Sequence, residues 1–262
     1  MTGPEDISAP QAHAVVEDPP LASLPGLGCG NDADLSWLDA RPPEEVSARA
    51  FADPVLFCRY FLPHLFPTPM PWVHRALLAI LLRRTNFLAH YGELDRIFEN
   101  FITIDKKPIF LWKDSRIALR LGRFTILLLP RGFGKTTLAA QAVPLFEILY
   151  QLCPFMFYLS ESATHSRMQA TNVRRELGGD GNARIKRVFG ELKPKMADEE
   201  KWAEHFFETT TGMAVGTQGR GGQVRGVNHR GQRPQKILVD DVEDKDSVKE
   251  EEQRKKTRQW FF

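Results

Sequence analysis

The chain has 262 residues, of which 42% are hydrophobic and 26% are charged. This composition is typical of a globular protein with enough apolar material for a core. No run approaches the roughly 18 apolar residues of a membrane helix, and the N-terminus does not resemble a secretory signal. Cys29, Cys58 and Cys153 are far apart and lack the spacing of a zinc site. The sequence therefore predicts a cytoplasmic protein with no membrane association and with buried or incidental thiols.

Charge is divided unevenly along the chain. Residues 1–50 carry nine acidic and two basic side chains, a balance of −7, whereas residues 51–262 carry 33 basic and 24 acidic ones, a balance of +9. The basic part suits a polyanionic partner such as a nucleic acid or the phosphates of a nucleotide. The first 50 residues are also rich in Pro and Ala, and we expect an acidic, largely disordered leader there.

Residues 51–122 are predicted to form a helical segment. A short helix is expected at 51–62, with Asp53 as its N-cap and Pro54 at the first helical position. A Pro-rich stretch then leads into a second predicted helix at 72–84, whose apolar side chains recur on one face.

Residues 123–262 alternate strand and helix patterns. The predicted elements are a buried strand at 124–129, a helix at 136–149, a second buried strand at 155–159, a helix ending near 177, a hairpin at 205–215 and a core strand at 236–239. Strands that alternate with helices predict an α/β protein with a mostly parallel sheet and flanking helices.

The first of these strands leads into a phosphate-binding loop. Residues 129–136 fill the pattern G-x-x-x-x-G-K-[ST] except at its first position, where Leu129 replaces glycine. Gly132 and Gly134 can adopt backbone angles that turn consecutive N–H groups toward an anion. The positive N-terminus of the following helix adds to the same site. The segment therefore predicts binding of a nucleoside triphosphate.

The side chains of this loop have separate predicted roles. Lys135 is expected to reach the β- and γ-phosphates, and Thr136 is expected to ligate Mg²⁺ through its hydroxyl. Arg131 lies within reach of the γ-phosphate, where we expect it to stabilise charge during hydrolysis. The candidate nucleotide-binding residues are Pro130, Arg131, Gly132, Phe133, Gly134, Lys135, Thr136 and Thr137.

Two acids follow the strand predicted at 236–239. A phosphate loop of this kind requires one acid for Mg²⁺ and a carboxylate that activates the attacking water. Asp240 is the candidate metal ligand and Asp241 the candidate catalytic base. Glu243 is the alternative base, because Asp241 is shorter than the glutamate usual at this position. The alternative interpretation is a solvated acidic turn, since five of the seven residues 240–246 are acidic.

With both motifs placed, the chain resembles the large terminase subunit of tailed bacteriophages, the motor that packages DNA into procapsids. In that family the phosphate loop has the form Pro-Arg-Gly-x-Gly-Lys-Ser/Thr, which residues 130–136 reproduce. Further segments that are similar to the family are, in chain order, 57–74, 159–164, Trp202, Gly212, Gly216, 225–226, 233–244, 253–254 and 260–261. The resemblance covers roughly residues 51–262.

The resemblance implies a P-loop NTPase fold of the ASCE type, with ATP and Mg²⁺ as cofactors. It also implies that ATP hydrolysis drives double-stranded DNA into the procapsid, in the cytoplasm of a bacterial host. The implied partners are a portal protein, a small terminase subunit and further copies of the chain in a ring. Family members continue with a strand that carries a coupling motif and with a nuclease domain. We therefore expect an ATPase core at residues 123–262 that is incomplete at its C-terminus and has no nuclease activity.

The glycine-rich segment 216–226 is predicted to be a mobile loop, because it has too many glycines for a helix or strand interior. Arg220 and Arg225 are candidates for contacts with the phosphates of ATP or of a DNA backbone. Incidental arginines on a solvated loop are the alternative.

An aromatic cluster lies in the segment that the resemblance links to the adenine pocket. Its members are Phe57, Tyr60, Phe61, Phe66 and Trp72. Such side chains either stack on adenine or pack in a core, and core packing is their commoner use. His64 and His74, in the same region, are predicted to be structural rather than catalytic.

Other functional classes fit the sequence less well. A helicase would need further nucleic-acid motifs and a second core domain. A GTPase would need an Asn-Lys-x-Asp motif, and a small-molecule kinase would leave Asp240 and Asp241 unexplained. The remaining alternative to a working ATPase is a non-catalytic nucleotide-binding remnant of a truncated prophage terminase gene.

Overall fold

A computed structural model describes residues 34–84, 86–91, 103–104, 107–108, 132–178, 181–195, 202–222, 224, 226–241, 252 and 255. The strand predicted at 124–129 and the candidate site residues Pro130, Arg131, Arg225 and Glu243 lie outside these residues. Within the described ranges, no helix is long and apolar enough to cross a membrane.

Helices dominate the first part of the described chain. Their bounds are a 3₁₀ turn at Ser36–Ala40, α1 at Pro43–Ala52, α2 at Pro54–Phe61, α3 at Trp72–Leu82 and a 3₁₀ turn at Asn86–Tyr91. Asp53 separates α1 from α2, and its side chain accepts a hydrogen bond of 2.9 Å from the N–H of Val55. The predicted N-cap is thus confirmed, and it divides the helix expected at 51–62 in two.

Further helical segments follow the phosphate loop. They are a π-helical segment at Thr137–Ala142 that continues into α4 at Val143–Leu149, then α5 at Ala163–Leu177 and α6 at Ala183–Phe189. The helices predicted at 136–149 and up to 177 are confirmed. The π-helical hydrogen bonding in the first of them is a feature that the apolar pattern did not predict.

The described strands form two sheets. Their bounds are β1 at Thr103–Ile104, β2 at Lys107–Pro108, β3 at Phe155–Ser160, β4 at Phe206–Glu208, β5 at Ala214–Gly219 and β6 at Lys236–Val239. β1 pairs with β2, and the other four strands have the order β4-β5-β3-β6. β3 is parallel to both β5 and β6, whereas β4 and β5 form the predicted antiparallel hairpin. The fold is therefore α/β with a mixed sheet and flanking helices.

The main core lies between the helices and one face of this sheet. Phe57, Tyr60 and Phe61 of α2 are fully buried in it. Phe57 packs edge-on against Phe146 of α4, with 5.1 Å between the ring centroids. These three aromatics therefore serve core packing rather than stacking on a base.

The N-terminal boundary of the folded part differs from the prediction. Helix α1 crosses residue 50, where the leader was expected to end, and Val46 and Ala50 are both fully buried. The acidic and Pro-rich context hides this helix in the sequence, because three of its five apolar residues are small alanines. Its apolar side chains are nevertheless enough to join the main core.

The prediction of a mobile loop at 216–226 is wrong for its first part, because residues 216–219 belong to β5. Glycines are required there by close packing. A Cβ on Gly216 would lie 2.7 Å from the ring of Phe157, and a Cβ on Gly219 would lie 2.4 Å from the backbone nitrogen of Ala163. Glycine in a strand can mark the close approach of another group. That group is a side chain of β3 at Gly216 and the start of α5 at Gly219.

The strand β6 is less buried than a core strand. Ile237 and Val239 are 47% and 41% exposed. Within the described sheet, β6 pairs only with β3, so one of its edges has no described neighbour. The prediction of a strand at 236–239 is confirmed, but it is not the core strand that was expected.

Candidate functional site

The phosphate loop has the backbone geometry that its glycines permit. Gly132 and Gly134 have φ angles of +84° and +63°, in the left-handed region that favours glycine. Helical geometry begins directly afterwards, and the N–H of Leu138 donates to the carbonyl of Gly134 at 2.9 Å. The N–H groups of the first helical turn therefore point toward the loop without an acceptor inside the helix, which is the arrangement that binds anions.

Thr136 and Asp240 meet in the structure, as a shared metal site would require. Asp240 directly follows β6, and its N–H donates to the carbonyl of Leu159 at 3.0 Å, which extends the parallel pairing with β3. The hydroxyl of Thr136 donates to Oδ2 of Asp240 at 3.1 Å. The fold thus places together two candidate residues that lie 104 positions apart in the sequence.

The separation of these two oxygens fits a magnesium ion. Mg²⁺ binds oxygen ligands at about 2.0–2.1 Å in an octahedron, so adjacent ligands are about 3 Å apart. The described residues contain no group of three or more His, Cys, Asp or Glu side chains that could hold a metal. Magnesium at nucleotide sites needs only one or two protein ligands, because phosphates and water complete its shell. Thr136 and Asp240 therefore fit such a site chemically.

Asp241 is held by its backbone beside this pair. Its φ angle is +46°, a left-handed conformation that aspartate adopts more readily than most residues. Its carbonyl accepts a hydrogen bond of 2.8 Å from the N–H of Glu161, while the residue itself is exposed to solvent. An exposed carboxylate next to the candidate metal ligand can reach water, and its role as a base stays a prediction.

Arg220 lies at the same edge of the sheet. It follows β5, and its N–H lies 2.9 Å from the carbonyl of Ser160 and 3.2 Å from that of Glu161. Parallel strands bring their carboxyl ends to one edge, so Arg220 and Asp240 flank the end of β3 on opposite sides. The position is compatible with a contact to a phosphate, which stays a prediction.

A small cavity adjoins the phosphate loop. Its volume is about 170 Å³, and it is lined by the Pro-rich segment 65–71, by His74 and by Gly134, Thr137 and Leu138. Ligand pockets usually exceed roughly 300 Å³, so this cavity would hold a fragment such as a base rather than a whole nucleotide. The Pro-rich segment, rather than the buried aromatics of α2, therefore supplies the candidate base pocket.

His74 connects α3 to the loop. Its Nε2 lies 2.9 Å from the carbonyl oxygen of Phe133, and its ring is the nearest group to the position of a Cβ on Gly134. The sequence predicted a structural role for His74, and the contact shows what it positions. A carbonyl can only accept a hydrogen bond, so the ring nitrogen that faces it carries a proton.

Gln169 lies against the candidate site, although it was not among the residues predicted from the sequence. It lies on α5 and is 3% exposed, and its Nε2 is 3.4 Å from Oδ2 of Asp240. The signal in the sequence was a long polar residue on the buried helix face that also carries Ser166, Ala170, Val173 and Leu177. A glutamine among such neighbours indicates a partner that an apolar residue could not serve.

The helix that follows the phosphate loop contacts β6 a second time, at the end far from Thr136 and Asp240. Lys236, the first residue of β6, forms an ion pair with Glu147 of α4. Burial raises the pKa of the Glu147 carboxyl, and the nearby Lys236 ammonium lowers it again in part. Helix and strand are therefore linked both at the phosphate loop and at the opposite edge of the sheet.

Comparison of the chain with protein-family models, with curated proteins and with solved structures found no match. The resemblance to terminases therefore rests on the motifs of this sequence.

Proposed function

We propose that the chain binds a complex of ATP and Mg²⁺ at residues 130–137 and Asp240, and hydrolyses the nucleotide. The observation that carries this proposal is the hydrogen bond between Thr136 and Asp240. A chance Gly-Lys-Thr turn would have no reason to meet the acid that follows a strand 104 residues downstream. A phosphate site that uses a divalent cation requires the hydroxyl of the loop and this carboxylate to lie close together.

The residues of the chain divide the chemistry between them. The loop N–H groups and Lys135 would hold the phosphates, and Arg131 would stabilise charge on the γ-phosphate. Thr136 and Asp240 would hold the cation, which supplies further neutralisation of phosphate charge when bound. Asp241, or Glu243 in its place, would accept a proton from the attacking water.

We further propose that this hydrolysis drives translocation of double-stranded DNA, as the ATPase part of a phage terminase large subunit. This step is supported by the order of motifs along residues 51–262 and by their balance of +9 charges, which suits a DNA backbone. A ring of copies, a portal protein and a small subunit follow from the same resemblance. Arg220 and Arg225 are the candidate phosphate contacts of such a ring.

A non-catalytic nucleotide-binding remnant is the second candidate, and the exposure of β6 favours it. Ile237 and Val239 are 47% and 41% exposed in the strand that leads to Asp240. A motor of the proposed kind has a further strand with a coupling motif. Among the described strands β6 pairs only with β3, and a strand held on one side would place Asp240 less rigidly for catalysis than for binding.

The two candidates are separated by measuring ATP binding and steady-state hydrolysis, with and without Mg²⁺. The variants are Lys135→Ala and Asp240→Ala, and the control is Lys193→Ala, which removes an exposed lysine near the end of α6. Turnover that both site variants abolish and the control retains supports the ATPase. Binding that depends on Lys135 without any turnover supports the remnant. Absence of binding in the unaltered chain would overturn both.

A further inference from the structure

The side chain of Gln169 reaches the candidate metal ligand from a different helix than the one that follows the phosphate loop. Its Nε2 lies 3.4 Å from Oδ2 of Asp240, the same oxygen that accepts the hydrogen bond from Thr136. Thr136 belongs to the helix after the loop and Gln169 to α5, so two separate elements hold one carboxylate oxygen. Asp240 is therefore contacted by side chains from two elements of the fold.

The hydrogen bonds of the Gln169 amide are only partly accounted for. The amide nitrogen Nε2 lies 3.4 Å from Oδ2 of Asp240 and 3.4 Å from Nε2 of His165. Each of its two hydrogens therefore faces one of these atoms. Its carbonyl oxygen Oε1 is buried and has no hydrogen-bond partner within the described part of the chain. The reverse orientation of the amide would set this oxygen against a carboxylate, so the orientation follows from charge.

A buried carbonyl without a partner is unfavourable and calls for an explanation. The next helical turns place Ala170, Val173 and Leu177 on the buried face of α5, where they pack in the main core. Packing alone would therefore be served by an apolar residue at position 169. The polar side chain of Gln169 is explained if a ligand that binds together with the nucleotide donates a hydrogen bond to Oε1.

We propose that Gln169 is a positioning residue of the nucleotide site. Its amide N–H holds Asp240, and its carbonyl oxygen accepts a hydrogen bond from a water molecule in the shell of the divalent cation. The inference rests on the proposed function, since it requires a cation at Thr136 and Asp240. Residues that orient metal ligands in this way typically change metal affinity by about 10- to 100-fold when they are replaced.

Gln169→Met provides the test, because methionine keeps the length of the side chain and removes both polar groups. The probe is a fluorescent ATP analogue, whose affinity is measured with EDTA and over a series of Mg²⁺ concentrations. The Mg²⁺ concentration for half-maximal binding should rise about 10- to 100-fold, while affinity in EDTA stays within about twofold. The midpoint of thermal unfolding without ligand should stay equal or rise, since an unpaired buried carbonyl has been removed.

Ser166→Ala is the matched control. Ser166 is also buried on α5, but its hydroxyl donates to the carbonyl of Ala163 within the helix. Its replacement should leave the Mg²⁺ requirement unchanged. If Gln169→Met does not fold, Gln169→Asn carries the test, because the shorter amide withdraws from Asp240 and should also raise the requirement.

The outcomes distinguish this inference from the proposed function. An unaltered Mg²⁺ requirement in the Gln169 variant, in a chain that otherwise binds ATP with Mg²⁺, overturns the role of Gln169 alone. A fall in the unfolding midpoint with no change in the Mg²⁺ requirement assigns Gln169 a purely structural role. Absence of nucleotide binding in the unaltered chain overturns the proposed function and this inference with it.

Discussion

The hydroxyl of Tyr158 donates a hydrogen bond of 2.7 Å to the carbonyl oxygen of Ala140. Ala140 lies in the π-helical segment Thr137–Ala142. Pro144, four residues further on, has no N–H that could donate to its carbonyl in the α-helical pattern. The contact joins β3 to the helix that follows the phosphate loop. Burial raises the pKa of Tyr158 well above its usual value, so the hydroxyl keeps its proton at neutral pH.

Tyr158→Phe should therefore destabilise the protein by about 1–3 kcal/mol, because it leaves the Ala140 carbonyl buried without this donor. The measurement is urea unfolding followed by circular dichroism. Tyr150→Phe is the control, since the Tyr150 hydroxyl donates at 2.9 Å to the carbonyl of Ser47, within helix α1. That carbonyl keeps its helical donor, so the loss should be only about 1 kcal/mol. Equal losses in the two variants would contradict the role of Pro144.

Gly219→Ala should destabilise the protein by about 2–3 kcal/mol, because the added methyl would overlap the backbone at Ala163 and force β5 away from α5. Gly178→Ala is a suitable control. Gly178 has a φ of −70°, and a Cβ there would lie 3.5 Å from its nearest neighbour. That variant should be neutral or gain roughly 0.4–1 kcal/mol from a less flexible unfolded chain. Thermal unfolding of both variants makes the comparison, and a stable Gly219→Ala protein would refute the close approach of the two elements.

Lys236→Ala should destabilise the protein by about 2–3 kcal/mol near neutral pH, because it leaves the Glu147 carboxylate buried without its ion pair. The Lys236 side chain is 24% exposed, so the loss should fall below that of a fully buried pair.

This loss should depend on pH with a defined sign. Burial raises the pKa of Glu147 in the folded protein above the ordinary value of 4.5, and removal of Lys236 raises it further. A carboxyl with a raised folded pKa binds its proton more readily when folded, so the loss grows as pH rises through that pKa and shrinks as pH falls. Urea midpoints at about pH 5 and about pH 8 test this. The double variant Glu147→Leu with Lys236→Met should recover most of the stability and lose the pH dependence.

His74→Ala should weaken binding of a fluorescent ATP analogue about fivefold, since it removes a hydrogen bond that holds the phosphate loop at Phe133. His74→Gln retains a donor and should recover part of the affinity. The control is His64→Ala, because His64 pairs with Glu176 at 3.1 Å rather than with the loop. An equal effect of the two alanine variants would show that the contact with Phe133 is not specific to binding.

The sequence was most informative where chemistry and local geometry coincide. The N-cap at Asp53, the hairpin at 205–215 and the helix that ends at Leu177 each follow from short patterns, and each is confirmed. The pairing of Thr136 with Asp240 was also expected, because the chemistry of a phosphate loop requires an acid on a neighbouring strand.

The remaining features depend on packing between distant segments. In the sequence, Gly216 and Gly219 suggest a loop. The structure shows instead that they lie in a strand, packed closely against Phe157 and Ala163. Gln169 joins the site only because α5 packs along the sheet edge where Asp240 lies. No local sequence pattern predicts these contacts, because the two residues of each contact lie more than fifty positions apart in the chain. The contacts of Gly219 and Gln169 also depend on where the whole helix α5 packs.

The helix after the phosphate loop and the strand β6 are joined at both ends, by Thr136 to Asp240 and by Glu147 to Lys236. The two links are separated by about 16 Å along the helix and about 13 Å along the strand. Two elements joined at two such distant points resist movement relative to each other. If binding at the proposed site displaces the phosphate loop, the displacement would therefore reach Lys236 at the other end of β6.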